Sequence, residues 1–416
     1  MTEGALSAGR TPLSLRSLYL VIGTWTAAIG PFSAVILRSH GLDPATIGLL
    51  SAAAALAATV AVPAWGHLAD VLVGRAYAFR IGVAVASAAA FALLLPIPPL
   101  LLAPILASFT AFPAMFLALG DALAVGGLPS PERQYGALRA LASLSFAIGV
   151  IVAGFIYDQA GYAAVPIVCL AWSGLIFVLI GRVPDPTRDP AVRAIAARHG
   201  GDAAAGRFGS ISRAFAVQPR LWAVLAVLTV AHTGVLGAMV FVAIRIVELG
   251  GQPSDVALTF GIASFAEIPG LVLAGWLGRR IGLRWLFVVA CLASGLCVAS
   301  WGMLPTPIAI NATRLITGLC FGALSAGRVV VIARLLPPEL QATGQTLAQA
   351  ATFGLGNVLG GIIGGVLYGS FGPTAFFAAA GAMSIAGGLG AWVVLYGPVG
   401  APAIPRPGPL LDPDVP

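Results

Sequence analysis

Charge is scarce in this sequence, and its basic charge is of a single kind. Only 9% of the 416 residues are charged, against about 25% in ordinary soluble domains. Lysine does not occur, so arginines supply all 22 basic side chains. With 59% hydrophobic residues and a mean hydropathy of +0.98, too little polar side chain exists to cover a water-exposed surface. The sequence is therefore that of an integral membrane protein. The net charge of +7 does not point to nucleic acid, because the arginines are spread along the chain rather than gathered on one face. Cysteine is scarce too. Cys169, Cys291, Cys297 and Cys320 all sit inside apolar runs and form no CxxC pair, which reads as buried small hydrophobes rather than disulfides or metal ligands. No Walker loop, HExxH helix or nucleophile elbow occurs. An ATP-driven pump, a metalloenzyme and a hydrolase thus lack the residues they need, and neither cofactor nor metal is expected.

What the sequence does have is apolar runs of spanning length. They fall at about 15–37, 44–69, 77–97, 100–125, 135–157 and 162–181, then 218–247, 254–277, 282–303, 308–334, 341–368 and 373–396. The one extended polar segment, Arg182 to Arg213, begins PDPTRDP and lies at the middle of the chain. This gives an all-α membrane protein of twelve spans in two six-helix halves: 1–181, a linker over 182–217, 218–396, and a Pro-rich tail over 397–416. The halves look duplicated. GHLADVLVGR from Gly66 is echoed by GWLGRRIGLR from Gly275, PERQ at Pro131 by PELQ at Pro338, and GFIY at Gly154 by GVLY at Gly365, with offsets of 207 to 211 residues.

Arginine placement sets an expected orientation. With the N-terminus inside, Arg10, Arg16, Arg75, Arg80, Arg133, the linker arginines, Arg279, Arg280, Arg284 and Arg406 are cytoplasmic. The other side keeps Arg38 and Arg245 with Asp43, Asp158, Glu248 and Asp255. The positive-inside rule then places both termini in the cytoplasm. The Ala-, Gly-, Arg- and Pro-rich composition is that of a GC-rich bacterial genome, so the expected location is a bacterial inner membrane.

Gly66-x-Leu68-Ala69-Asp70 followed by Gly74-Arg75 resembles the loop signature of the major facilitator superfamily. Further stretches are similar to its branch containing lactose permease, the phenylpropionate transporters and the nucleoside–proton symporters. They are LRSHGLDPATIGLL over 37–50, Leu119-Gly120-Asp121-Ala122, Tyr135-Gly136-x-x-Arg139 and Glu267-Ile268-Pro269. The resemblance implies two helical bundles that rock about a midplane site and move a small organic solute together with protons, in a chain acting as a monomer. Drug or metabolite efflux on the same fold is the alternative, and a membrane solute sensor is a third reading, without the soluble output domain a sensor usually carries. The sequence departs from the pattern in three ways: an extra residue separates Asp70 from Gly74, Arg279 stands where the second copy would place Asp70, and the tenth span lacks a histidine.

Ionisable groups inside spans cost roughly 2.5–3.5 kcal/mol on insertion scales, so each needs a reason. Glu267, near the middle of the eighth span, is the leading proton-coupling candidate, with His232 and Asp121 behind it. Arg314 and Arg328 of the tenth span, with Trp25, Phe112 and Phe241, are candidates for the substrate cavity, and either arginine is an expected partner for Glu267. Gly66, Asp70, Gly74, Arg75, Arg80 and Arg139 are expected to form a conformational lock at the cytoplasmic ends of the helices.

Overall fold

The computed structural model describes residues 11–92, 94–96, 98–128, 131–189, 191 and 209–395. The first ten residues, most of the central linker and the tail expected over 397–416 lie outside the described residues. The described chain is helical throughout, with no strand among its residues. Nine helical stretches of it are long and apolar enough to cross a membrane. One of these, Pro338–Val394, is two helices, because Gly372 turns the chain at φ 78° and Pro373 follows it.

The helices are α1 Leu13–Ser39, α2 Pro44–Val73, α3 Arg75–Ala92, α4 Pro99–Gly127, α5 Pro131–Ala160 and α6 Tyr162–Ile180 in the first half. In the second half they are α7 Leu221–Glu248, α8 Pro253–Arg280, α9 Gly282–Ser300, α10 Pro307–Leu335, α11 over 338–371 and α12 over 373–394. Each expected span corresponds to one helical stretch, continuous or interrupted, and the fold is the twelve-helix, two-bundle one. Helix α1 is broken by a 3-10 turn at Gly30–Phe32, where Pro31 removes a backbone donor.

Local chemistry explains where the helices begin. Proline opens α2, α8, α10 and α11, at the position where its missing N–H would have had no partner. Before α2, the Asp43 side chain accepts from the N–H groups of Ala45 and Thr46 at 2.9 and 3.1 Å. Before α8, Gln252 and Asp255 form a reciprocal capping box. Helix α3 follows the sharp turn at Gly74, φ 86°. Its first donors are met by the linker: Arg75 N–H donates to Thr187 Oγ1 at 2.9 Å, and Ala76 N–H to Asp185 Oδ2 at 2.8 Å. The PDPTR start of the linker is thus a structural cap on the first half, with a buried carboxylate at a helix N-terminus where its charge is favoured.

The two halves are not joined evenly. One continuous apolar core runs through the first half into the Ala238–Ile246 stretch of α7 and to Tyr368, Phe376 and Phe377. Those residues lie at the end of the second half remote from the linker. The linker-side end of the second half has a separate core around Leu221, Leu228, Ile332 and Leu336. The halves therefore share a core on one face only.

Candidate functional site

The shared face is built from glycine. Helix α2 meets α11 so closely that a Cβ on Gly48 would collide with the Gly361 carbonyl and stand 2.8 Å from Gly365 Cα. Gly365 in turn lies against Pro44 and Ala45. With no apolar driving force between helices in lipid, such backbone approach provides the van der Waals contact that holds them. The symmetry-related pair is α5 with α8, where Gly154 packs on Pro253, Ser254 and Ala257, and Gly261 on Ile151. A polar latch completes this pair: Asp158 Oδ1, from the first half, accepts from Ser254 N–H at 2.9 Å, at the start of a helix in the second half. Towards the linker face the contact thins. Between Pro44 and Leu68, the buried residues of α2 are Ile47, Gly48, Leu50, Ala52 and Ala54, all in its first half. The last close approach is Thr59 beside Gly354. The halves are thus packed closely at the face away from the linker and more loosely towards it.

Glu267 lies within α8, two residues before Pro269, which removes one backbone donor from the helix. The backbone at Glu267 is pressed against Gly322 of α10. The charge whose field reaches its carboxylate is Arg139 of α5, across the divide between halves, without closing to an ion pair. Neither of the arginines expected as its partner takes that place. Arg314 is 4% exposed, inside the second bundle. Its Nε donates to the Thr259 carbonyl at 2.8 Å and its Nη1 to Thr317 Oγ1 at 3.0 Å, with the Trp301 ring centroid 5.2 Å away. Arg328 Nη1 donates to Thr352 Oγ1 at 2.7 Å and its guanidinium lies 5.3 Å from the Phe353 ring centroid. Both α11 partners sit in a π-helical turn, Ala350–Leu355, which widens the helix there.

His232 is buried, and its Nδ1 donates to the Leu228 carbonyl at 2.8 Å. It lines a small cavity inside the second bundle with Ser294, Thr317 and Phe321. Phe353 stands edge-on to its ring at 5.8 Å. His232 is thus one helix away from Arg328 and on a different helix from Glu267. Asp121, on α4, accepts from the Tyr19 hydroxyl of α1 at 2.5 Å.

The aromatic candidates are packing residues where they are described. Trp25 is fully buried, donating from its indole to Ser173 Oγ at 3.1 Å and meeting Phe116 edge-on. Ser173 is also hydrogen-bonded to Ser87, so α1, α3 and α6 share one polar knot. Phe241 is fully buried and stacked on Tyr368 at 5.1 Å. The side chain of Phe112 lies outside the described residues.

The six residues of the expected lock do not form one cluster. Arg75 Nε and Asp70 Oδ1 make an ion pair at 2.6 Å, and Arg75 Nη1 donates to the Ala122 carbonyl at 3.1 Å, next to Asp121. Gly74 makes the turn between them. Gly66 has open space beside it. Arg80 instead stacks 4.6 Å from the Phe177 ring centroid within the first bundle. Arg139 acts on Glu267 across the divide.

Residue-level reading missed the Arg139–Glu267 juxtaposition, the Tyr19–Asp121 bond and the Asp158 latch. Each joins residues about a hundred positions apart. The one signal available for Asp158 is its place beside GFIY, whose second copy carries Gly369 against Ala45 and Pro44.

Two bundles of apolar spanning helices that share a core at one face are the architecture of a multi-pass membrane transporter for a small molecule. The model of the MFS_1 like family matches residues 13–379, and the chain belongs to that family. Its members are transporters, not enzymes. A maltose permease of Geobacillus stearothermophilus is 25% identical over 362 residues, covering 84% of this chain and 86% of its own. The fold is shared with the nucleoside transporter NupG at TM-score 0.73 and 14% identity, over 92% of this chain and 99% of that one. It is also shared with a bacterial homologue of the human lysosomal transporter Spinster at TM-score 0.65 and 15% identity, over 92% and 94%.

Proposed function

We propose that this protein is a proton-coupled symporter that carries a small polyhydroxylated organic solute, such as a saccharide or nucleoside, by alternating access. The observation that carries the proposal is Glu267, an acid inside a spanning helix that no salt bridge neutralises among the described residues. A carboxylate and a guanidinium on opposite halves offer acceptors and donors to hydroxyl groups, and a solute bridging them draws the halves together. A maltose permease among the relatives supports that substrate class. Proton coupling follows from the cost of charge: Glu267 must be neutral to pass through a closed, dry intermediate, and it ionises when water and Arg139 reach it. Arginine asymmetry supports placing the termini and linker in the cytoplasm of a bacterial cell. On that orientation the closely packed face is the periplasmic one, and Asp70 with Arg75 belongs to a lock that closes the cytoplasmic face during the cycle. On this reading the chain functions as a monomer.

Transport in proteoliposomes tests this. With an imposed inward proton gradient, labelled maltose or uridine accumulates with the wild-type protein. Glu267→Gln is expected to abolish accumulation while retaining exchange of internal for external substrate, which needs no deprotonation. Wild-type accumulation in Glu267→Gln rejects Glu267 as the coupling group. Accumulation driven by an outward gradient instead of an inward one assigns the protein to efflux.

A further inference from the structure

The two halves differ in how their interiors are built. The first half has one core from end to end: Ala69, Ala76 and Phe79 near the linker belong to the same cluster as Phe32 and Tyr157 at the remote end. The second half has two. Ala238, Val298, Ile310, Tyr368 and Phe376 join the first half's core, whereas Leu228, Cys291, Leu324, Ala348 and Ala391 belong to the linker-side core. Between those positions, α7, α9, α10, α11 and α12 each place a buried polar side chain: His232, Ser294, Thr317, Thr352 and Ser384. The first three of these line the small cavity described above. A polar layer thus parts the apolar packing of the second half.

Each side of the layer is tied within itself. Away from the linker, the Gly302 carbonyl accepts from Arg245 Nη2 of α7 at 3.2 Å and from Thr374 Oγ1 of α12 at 3.1 Å. The Tyr368 hydroxyl of α11 donates to Glu248 of α7 at 2.7 Å. On the linker side, Gln341 and Gln345 of α11 donate to the Ala333 and Val329 carbonyls of α10 at 3.1 and 2.8 Å. Helix α11 crosses from one side to the other with its π turn, Ala350–Leu355, between Ala348 and Tyr368. Both neighbours grip that turn. Thr229 Oγ1 of α7 shares its proton between the Leu225 and Ala351 carbonyls at 2.8 and 3.2 Å, and Arg328 of α10 holds the Thr352 hydroxyl at 2.7 Å. The counterpart of α11 in the first half, α5, is α-helical over Pro131–Ala160. The offset between copies grows from 207 residues at PERQ and PELQ to 211 at GFIY and GVLY, so α11 carries four residues more than α5 over the same interval. A π turn is where a helix takes up extra residues, and it is a place where helices kink.

We infer that the second half moves as two bodies joined at this layer: its linker-side part swings towards the first half, with α11 bending at the π turn, while its other end stays seated on the first half. Arg328 and Thr229 are the positioning residues that set the angle of the bend, which gives Arg328 a reason to stand inside a span. This motion rests on alternating access as proposed above, and it adds a state in which both faces are closed. Two rigid halves, by contrast, open one face in order to close the other.

A staple across the remote seam separates bending from rocking. A Cβ on Gly369 would stand 3.8 Å from Pro44 Cβ, the separation found in disulfides, so Pro44→Cys/Gly369→Cys locks that face of the full-length protein. Leu72 of α2 and Glu339 of α11, each replaced by p-acetylphenylalanine carrying a nitroxide, leave the cysteines to the staple. Their distance is measured in nanodiscs with maltose or uridine, in acidic and in neutral buffer. A second, shorter population is expected in the oxidised protein, displaced by about 5 Å, the movement of a ~20 Å arm from Thr352 to Glu339 on a tilt of about 15°. A population seen only after the staple is reduced means that the halves rock as rigid bodies; alternating access then stands and the bend is overturned. Its absence from both forms overturns alternating access and the bend together. Thr352→Val, which removes the acceptor of Arg328, is expected to raise the shorter population roughly threefold, the worth of one interhelical hydrogen bond in a membrane. Thr352→Ser is expected to keep the wild-type level. A role in folding alone lowers the melting temperature of Thr352→Val and leaves that population unchanged, which removes Arg328 from the hinge. The stapled protein with native Thr352 decides the bend whether or not Thr352→Val folds.

Discussion

At the scale of single residues, the polar groups of this protein divide by what they touch. Arg314 and His232 are buried; Arg314 ties α10 to α8 through the Thr259 carbonyl, and His232 bonds the Leu228 carbonyl of its own helix. On the proposed reading, Arg139 of the first half and Glu267 of the second act on each other across the divide, so their interaction changes during the cycle. Replacing Arg139 by Gln is therefore expected to lower substrate affinity at least tenfold. Arg314→Gln is expected to reduce yield and melting temperature, because it leaves the Thr259 carbonyl and Thr317 hydroxyl of a buried network without their donor. Substrate-protection assays paired with thermal melts in detergent separate the two effects. Asp43 supplies a pH-dependent case. The Thr46 hydroxyl, then the Thr46 and Ala45 backbone donors, hold its carboxyl below the usual aspartate range. A lowered pKa in the folded state means that the cap contributes fully above the unfolded value of about 3.9 and is lost as pH falls through the lowered one. Asp43→Ala is expected to cost about 0.5–2 kcal/mol at neutral pH. The difference in melting temperature from wild type shrinks as the pH falls below that range.

At the scale of elements, closure of the face away from the linker depends on pairs of helices rather than on any one contact. The α2–α11 seam is backbone against backbone at Gly48, Gly361 and Gly365. A side chain at Gly48 has no flexible neighbour to displace, so Gly48→Val is expected to hold the seam apart, with a cost of about 1–3 kcal/mol for overpacking. That energy corresponds to a population shift of roughly 5- to 150-fold away from the closed face. Spin labels at His40 and Gln252, one on each half, are expected to report a longer distance than in wild type. In the α5–α8 seam, the Asp158 carboxylate caps a helix of the other half. Asp158→Ala removes that cap while leaving the glycine contacts, so a smaller shift in the same direction is expected. An unchanged distance distribution in both variants would show that neither seam controls closure.

For the whole molecule, the continuous core on one face and the split core on the other describe one of two end states. Each half is a packed body, and the interface that must open and re-form is lined by small residues and few polar bonds, which keeps the energy gap between states small. The proposed lock at Asp70 predicts that Asp70→Asn stabilises the state seen in this structure, since in it Asp70 contacts only its own half. Cysteine-accessibility labelling on the linker face should then increase and net transport slow, with substrate affinity kept within a few-fold. Orientation is checked separately: reporter fusions at the tail and at Gly250 are expected to give opposite signals.

Much of this architecture was legible in the order of residues. Twelve apolar runs, proline and Asp or Thr at helix starts, and a duplicated set of turns define spans and halves, because in a bilayer every backbone donor must be satisfied within its own helix. Glu267 stood out on the same ground, as an acid that lipid penalises. The sequence could not say which arginine would face it. Arg139, Arg314 and Arg328 have the same chemistry, and only the packing of α5 against α8 brings the first of them within range of Glu267 while Arg314 turns inward to Thr259 and Arg328 to Thr352. Trp25 and Phe241 were candidates for the cavity, a role that helical spacing alone cannot separate from packing, and are core residues in space. Periodicity fixes that a residue lies on a helix, but the direction a helix turns its faces depends on what its neighbours bury. In a chain whose helices are apolar on all sides, that is decided by close glycine contacts and hydrogen bonds between segments remote in sequence, which exist only once the bundle has assembled.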